Sequence, residues 1–136
     1  MKNKIDKTKL YEMANEERKK AYCPYSRISV GAALLAESGK IYTGANIENS
    51  AFTPGVCAER VAFFKAINDG ERSFLAIAVA GGKKGEAARA AFSPCGVCRQ
   101  VMAEFCTDGF EVIFSKGESA IFGELLPYKF DKDSLT

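Results

Sequence analysis

Five cysteines, at positions 23, 57, 95, 98 and 106, stand in a chain that has no histidine. Without an imidazole, the usual serine and cysteine triads are excluded. A transition-metal site has to be built from thiolates and carboxylates. Proton transfer near neutral pH falls most simply to a carboxylate with a tuned pKa. Two residues separate Cys95 from Cys98, a spacing that brings both sulfurs within reach of one ion. Taken alone, Cys-x-x-Cys fits a redox pair, half of a structural zinc site or a coincidence. Cys57, with Glu59 two residues on, sharpens the reading. Three thiolates leave a tetrahedral zinc one open corner, the arrangement of a catalytic site, and a carboxylate in the same helical turn as Cys57 can face that corner. Cys23 and Cys106 lack partners at ligand spacing and read as core or surface thiols.

Elements must bring Cys57 to Cys95 and Cys98. Asp6 to Ala21 has helical apolar spacing and ends before Pro24, with the Glu16–Lys20 charge run as its solvated face. Ile28 to Ala36 and Lys40 to Ala45 read as a hairpin turning at Ser38-Gly39. Asn46 to Gly55 is turn-rich. Val56 to Asn68 is helical, Phe74 to Ala80 is a short apolar run typical of a buried strand, and Gly81 to Phe92 reads as a loop. Cys95 to Cys106 is a helix, Phe110 to Phe114 a strand, Ser119 to Phe122 a weaker strand, and Glu124 to Thr136 a tail that holds Leu125-Leu126-Pro127 and then polar residues. Phe63, Phe64, Phe74, Phe105, Phe110 and Phe114 read as core, and Arg99 as a surface charge. Cys57 and Cys95 each open a helix after a proline-containing loop, where unpaired N–H groups and the helix dipole favour a thiolate. Helices alternating with strands after a hairpin argue for an α/β fold, a mixed sheet with helices on both faces.

Composition fits this frame. The 136 residues suit a single domain spanning 1–136, and 47% hydrophobic with 26% charged residues excludes intrinsic disorder. Nineteen Lys and Arg against 17 Asp and Glu give a net charge of +2, too little to argue for nucleic acid or an anionic membrane. An odd cysteine count without a secretory leader argues against a disulfide framework, and MKNKIDKTKL lacks the apolar stretch of such a leader. The expected location is the cytoplasm.

Cys57-Ala58-Glu59 together with Pro94-Cys95-Gly96-Val97-Cys98 resembles the motif pair of zinc-dependent base deaminases. Four stretches, YCPYSRISVGAALL (22–35), GANIENSAFTPGVCAERVAFFKAI (44–67), SPCGVCRQVMAEF (93–105) and ELLPYKF (124–130), resemble the small homotetrameric cytidine deaminases in order and approximate spacing. The resemblance implies a three-layer α/β/α fold with a mixed sheet of about five strands. It implies one Zn²⁺ per subunit on Cys57, Cys95 and Cys98, and Glu59 carrying protons from an attacking water to cytosine. It further implies that Asn46 and Glu48 hold the ribose of a free nucleoside, and that Ala58 faces the base through its backbone amide. Three thiolates on Zn²⁺ leave a formal charge of −1. Two helix N-termini offset part of it, and Arg60 is expected to offset more by hydrogen bonds to sulfur.

The chain departs from the family in having Ile28 where an aromatic packs on the base and Phe52 where a tyrosine is common. The Gly81–Phe92 connection looks longer than the family's usual one. Phe130 matches an aromatic that reaches a neighbouring subunit's site. The implied reaction converts cytidine and deoxycytidine to uridine and deoxyuridine plus ammonia, in pyrimidine salvage, by a homotetramer with active sites at subunit interfaces. The alternative substrate is a modified cytosine nucleoside such as blasticidin S. Further rivals are a deaminase of nucleic-acid bases, a zinc-stabilised module without activity, and a Cys-x-x-Cys redox protein. The redox form predicts loss of function on mutating Cys95 or Cys98 but indifference to Glu59, and the structural module predicts metal retention with no open coordination position.

Overall fold

The computed structural model describes residues 5–136; the first four residues of the leader reading and of the 1–136 domain lie outside them. Asp6 caps the first helix, its carboxylate accepting the Lys9 backbone N–H at 3.0 Å. That helix, α1 (Lys7–Glu17), turns Leu10, Tyr11 and Ala14 inward and passes into a 3₁₀ turn, Arg18–Lys20. The remaining elements are β1 (Ile28–Ala36), β2 (Ile41–Ala45), α2 (Ala58–Asn68), β3 (Phe74–Lys83), α3 (Gly96–Phe105), β4 (Glu111–Ile113), β5 (Ser119–Ile121) and α4 (Phe122–Leu125).

The five strands form one sheet in the order β2-β1-β3-β4-β5. Only β3 and β4 pair in parallel; every other neighbouring pair is antiparallel. Strand alternation divides the core in two. Ala32, Leu34, Ala36, Ile77, Val79 and Val112 pack with α2 and α3 residues Ala62, Phe63, Ala66 and Met102. Ala33, Ala76, Ala78, Ala80 and Ile113 pack with Leu10, Tyr11 and Ala14 of α1. The result is the three-layer α/β/α arrangement with a mixed sheet. Phe63, Phe110 and Phe122 are fully buried, and each contributes about 1.5–3 kcal/mol by leaving water.

The connections decide where chemistry can happen. β2 and β3 both run antiparallel to β1, which lies between them, so they point the same way. The chain leaving β2 leads into α2 and the chain leaving β3 leads into α3, on the same face. Both helix N-termini therefore emerge at one end of the sheet, beside the start of β1. The crevice outside strand carboxyl ends is where open α/β sheets bind ligands.

Several expectations need correction. Phe64 is 47% exposed, because consecutive residues of α2 point about 100° apart and Phe63 takes the inward direction. Arg18, inside the charge run read as solvated, is buried. Its Nε donates to the Ser29 carbonyl at 3.0 Å, Nη1 to Asn15 Oδ1 at 3.2 Å and Nη2 to the Lys83 carbonyl at 3.1 Å. β3 continues three residues beyond Ala80 because Gly81, Gly82 and Lys83 pair with Val30, Ser29 and Ile28, so the loop after it begins later than expected. The helix expected from Val56 begins at Ala58, with Val56 in an isolated bridge to Ile47. Phe122, expected to end the weaker strand, opens α4 instead, and Lys132–Leu135 in the tail form a second 3₁₀ turn. No described helix is long and apolar enough to cross a membrane.

Candidate active site

Cys57 is the N-cap of α2 and Cys95 the N-cap of α3, both extended in backbone and neither using its side chain as a cap. N-caps usually spend a Ser, Asp or Asn oxygen on the first helical N–H groups. A cysteine there leaves its sulfur free while those N–H groups lend it a positive field. Cys98 follows on the first turn of α3 and is buried. The approach of α2 depends on Gly44 of β2. A Cβ at that position would stand 2.5 Å from the Ala58 carbonyl oxygen and 2.8 Å from the Ala62 nitrogen.

Although 38 residues separate them, the Sγ atoms of Cys57 and Cys95 lie 3.7 Å apart, and those of Cys95 and Cys98 lie 3.6 Å apart. All five cysteines are free. A disulfide needs sulfurs at about 2.05 Å. Tetrahedral zinc with Zn–S of about 2.3 Å needs them at about 3.8 Å. The three sulfurs form a metal-binding group with all ligand atoms within 4.8 Å of one another, and no fourth such residue joins it among those described. Arg60 donates from Nη2 to Cys57 Sγ at 3.5 Å, and its Nε is buried without a partner, a cation held against sulfur. The donor set, its spacing and this counter-charge fit a soft divalent ion such as zinc.

The electrostatics agree. The Cys57 thiol is pulled below its ordinary pKa, first by its hydrogen bond with Cys98 and then by Arg60 and Cys95 against the effect of burial. Cys98 is pushed up by the same bond and by burial. Glu59 is buried on the first turn of α2, and burial pushes its carboxyl up to about 7, with the Cys57 charge adding to the rise.

These groups border a cavity of about 800 Å³, large enough for a small organic ligand. Its lining includes Cys57, Ala58, Glu59, Arg60 and Cys95, together with Ile28, Asn46, Glu48 and Phe52. Phe130 is not part of this lining; it is 60% exposed in the C-terminal segment. Asn46 is buried and already engaged: Oδ1 accepts the Val30 N–H at 2.8 Å, and Nδ2 donates to the Ile28 carbonyl at 2.9 Å. One Nδ2 hydrogen and one Oδ1 lone pair remain. Glu48 accepts the Tyr25 and Ser26 N–H groups, each at 3.0 Å, and the Ser26 hydroxyl. The Ser26 hydroxyl bond comes first among the causes that hold its carboxyl below the ordinary range. Phe52 is 78% exposed, has φ +63°, and meets Tyr25 edge-on at 6.5 Å. A bulky side chain in the left-handed region is uncommon and marks a specially shaped loop.

The cavity is also lined by residues to which the sequence assigns no site role, Tyr25, Ser26, Val30, Phe92 and Ser93. Phe92 has a detectable signal in Gly81 and Gly82 near the end of β3, since a strand glycine often marks close approach. A Cβ on Gly81 would stand 2.7 Å from the Phe92 ring. Arg99 is no ordinary surface charge. It is half-buried and donates to two backbone carbonyls, those of Pro94 and Leu125.

Comparison with known proteins follows the same line. The family model for the cytidine and deoxycytidylate deaminase zinc-binding region matches residues 4–114. A cytidine deaminase of Sporosarcina psychrophila is 49% identical over 136 residues, covering 97% of this chain and 96% of its own. The crystal structure of cytidine deaminase from Burkholderia pseudomallei superposes with a TM-score of 0.81 at 41% identity, covering 90% of this chain and 97% of that one. A blasticidin-S deaminase of Bacillus cereus is 30% identical over 129 residues, covering 91% of each chain.

Proposed function

The chain belongs to the cytidine and deoxycytidylate deaminase family, and from that premise we propose that it hydrolyses free cytidine and deoxycytidine to uridine and deoxyuridine, releasing ammonia. The observation that carries this reading is the three-sulfur cluster with no fourth protein ligand among the described residues, set beside a buried glutamate at the wall of an open cavity. Cys57, Cys95 and Cys98 hold the zinc, which when bound supplies the Lewis acidity that brings water ionisation near neutral pH. Glu59 accepts the proton of the attacking water. It passes that proton to N3 of cytosine as the water oxygen joins C4, then takes the second proton from the C4 hydroxyl so formed and gives it to the departing amino group as the C4–N bond breaks. A single buried carboxylate suffices because the proton it accepts is the proton it later gives. Arg60 offsets thiolate charge by its bond to Cys57.

Asn46 offers its remaining amide hydrogen and Glu48 its carboxylate to the ribose hydroxyls, and the Ala58 N–H, a first-turn donor without an intrahelical acceptor, faces the base. Ile28 and Phe52 supply apolar contact, Ile28 without the stacking an aromatic ring gives. A site built on such polar pairs rejects ligands that leave them unpaired. The exposed Phe130 supports an assembly in which it reaches the site of a neighbouring subunit, a homotetramer. Residues 1–136 act as one catalytic domain, in the cytoplasm, in pyrimidine salvage, with neither nucleic acid nor membrane as partner. The relative that acts on blasticidin S makes that compound the informative competitor. Loss of ultraviolet absorbance is to be followed with cytidine, deoxycytidine, adenosine and blasticidin S, with metal content measured on the same sample. Turnover of the first two by zinc-loaded protein is expected; turnover of blasticidin S or adenosine alone overturns the reading.

A further inference from the structure

Of the three clustered sulfurs, Cys95 is the least supported by packing. Cys98 is buried in α3, and Cys57 sits on a helix pressed against Gly44, whereas Cys95 is exposed. Its preceding residue, Pro94, has no N–H with which to anchor the loop. Pro94 is itself buried, and its peptide is hydrogen-bonded through its carbonyl. Arg99, one residue beyond Cys98, turns its side chain back toward the start of α3, the direction helical side chains favour. Its Nε donates to the Pro94 carbonyl at 2.9 Å and its Nη1 to the Leu125 carbonyl at 2.7 Å. Leu125 ends α4, where carbonyls have no helical donor left. One planar guanidinium thus joins the peptide just before Cys95 to the C-terminal segment. Gln100, next on the helix, donates to the Phe130 carbonyl at 2.8 Å, and Lys129 pairs with Asp108 at 2.6 Å, so the far end of that segment is tied down too.

We propose that Arg99 is a positioning residue for the metal site: by bridging the Pro94 and Leu125 carbonyls it holds the Cys95 sulfur at its place in the three-thiol cluster. The fork geometry is essential. A lysine ammonium keeps the charge but is a point donor on a flexible stem, and does not reproduce the planar bridge. The proposal rests on Cys57, Cys95 and Cys98 binding zinc.

The test compares wild type, Arg99→Gln, Arg99→Lys and a core control, Ile77→Val, all loaded with zinc and held well below their melting temperatures. Release of zinc to a chromogenic chelator is timed, and the thiolate-to-metal absorption of the cobalt-substituted proteins is recorded. Arg99→Gln is expected to release zinc at least about tenfold faster than both wild type and Ile77→Val, the low end of what lost support around a metal ligand does. Its cobalt band is expected to weaken or shift, and Arg99→Lys to fall between. Release at the wild-type or control rate with an unaltered cobalt band overturns the proposal, whatever the loss of thermal stability. If Arg99→Gln does not fold, Arg99→Lys decides: faster release supports the bridge, and the wild-type rate overturns it. Wild-type protein that binds no zinc defeats the underlying metal reading; normal wild-type binding with unaltered variants defeats this inference alone.

Discussion

Asn46 serves two masters at the residue scale. Its amide spans Ile28 and Val30, stitching the start of β1, while lining the cavity. Asn46→Ala strands the buried Val30 N–H and loosens Ile28, and is expected to cost about 1–3 kcal/mol in denaturant unfolding and to raise KM for cytidine. A variant as stable as wild type with unchanged KM contradicts both roles. Arg60→Ala removes the cation beside Cys57 and is expected to leave the fold intact while lowering zinc content or turnover, checked by metal analysis and an absorbance assay; unchanged values of both remove its charge-offsetting role. The cysteines and Glu59 were legible from type and spacing, because few residue types can hold a soft metal and fewer sit beside a carboxylate at that interval. Arg18 and Arg99 were not. Apart from Asn15, their partners are backbone carbonyls, those of Ser29 and Lys83 for Arg18 and of Pro94 and Leu125 for Arg99, and a carbonyl carries no residue-type signal.

At the scale of elements, the site is a consequence of connection. β2 and β3 run the same way on either side of β1, so the helices that follow them begin at one end of the sheet and bring distant cysteines together. Gly44→Ala would drive a methyl group into the Ala58 carbonyl. The variant is expected to lose about 1–3 kcal/mol of stability and part of its zinc, since α2 carries Cys57 and Glu59. Full stability with full zinc occupancy would show that α2 has room to retreat. A second expectation concerns acid. Burial works to raise the Glu111 carboxyl, but hydrogen bonds from Lys7 and Ser119 outweigh it and hold the group below its ordinary value. A group with a depressed folded pKa adds stability above its unfolded pKa of about 4.3 and loses it as pH falls through the folded value. Glu111→Gln should therefore lower stability by up to about 1 kcal/mol at pH 7 and flatten its decline below about pH 4.5. An unchanged acid limb counts against the tie. The major elements were legible from periodicity. Their limits were less so, as with β3, whose last three residues include two glycines and are strand only because β1 lies alongside.

For the molecule as a whole, zinc would tie the start of α2 to the start of α3 across the sheet end, and anything that binds only the folded state stabilises it by mass action. At about 100 times its dissociation constant that amounts to about 2.7 kcal/mol, so a strong chelator is expected to lower Tm by several degrees, and an unmoved Tm counts against the metal. The exposed Phe130 belongs to this scale as well. Phe130→Ala is expected to reduce kcat/KM in an assembly whose mass, by light scattering, is that of four chains; a fully active single chain contradicts the shared site. The most direct test of the mechanism is Glu59→Gln, with zinc stoichiometry and cytidine turnover read from one preparation beside wild type. Retention of about one zinc per chain with turnover reduced by at least about 10² is the predicted result; turnover at the wild-type level with the glutamine in place would contradict it.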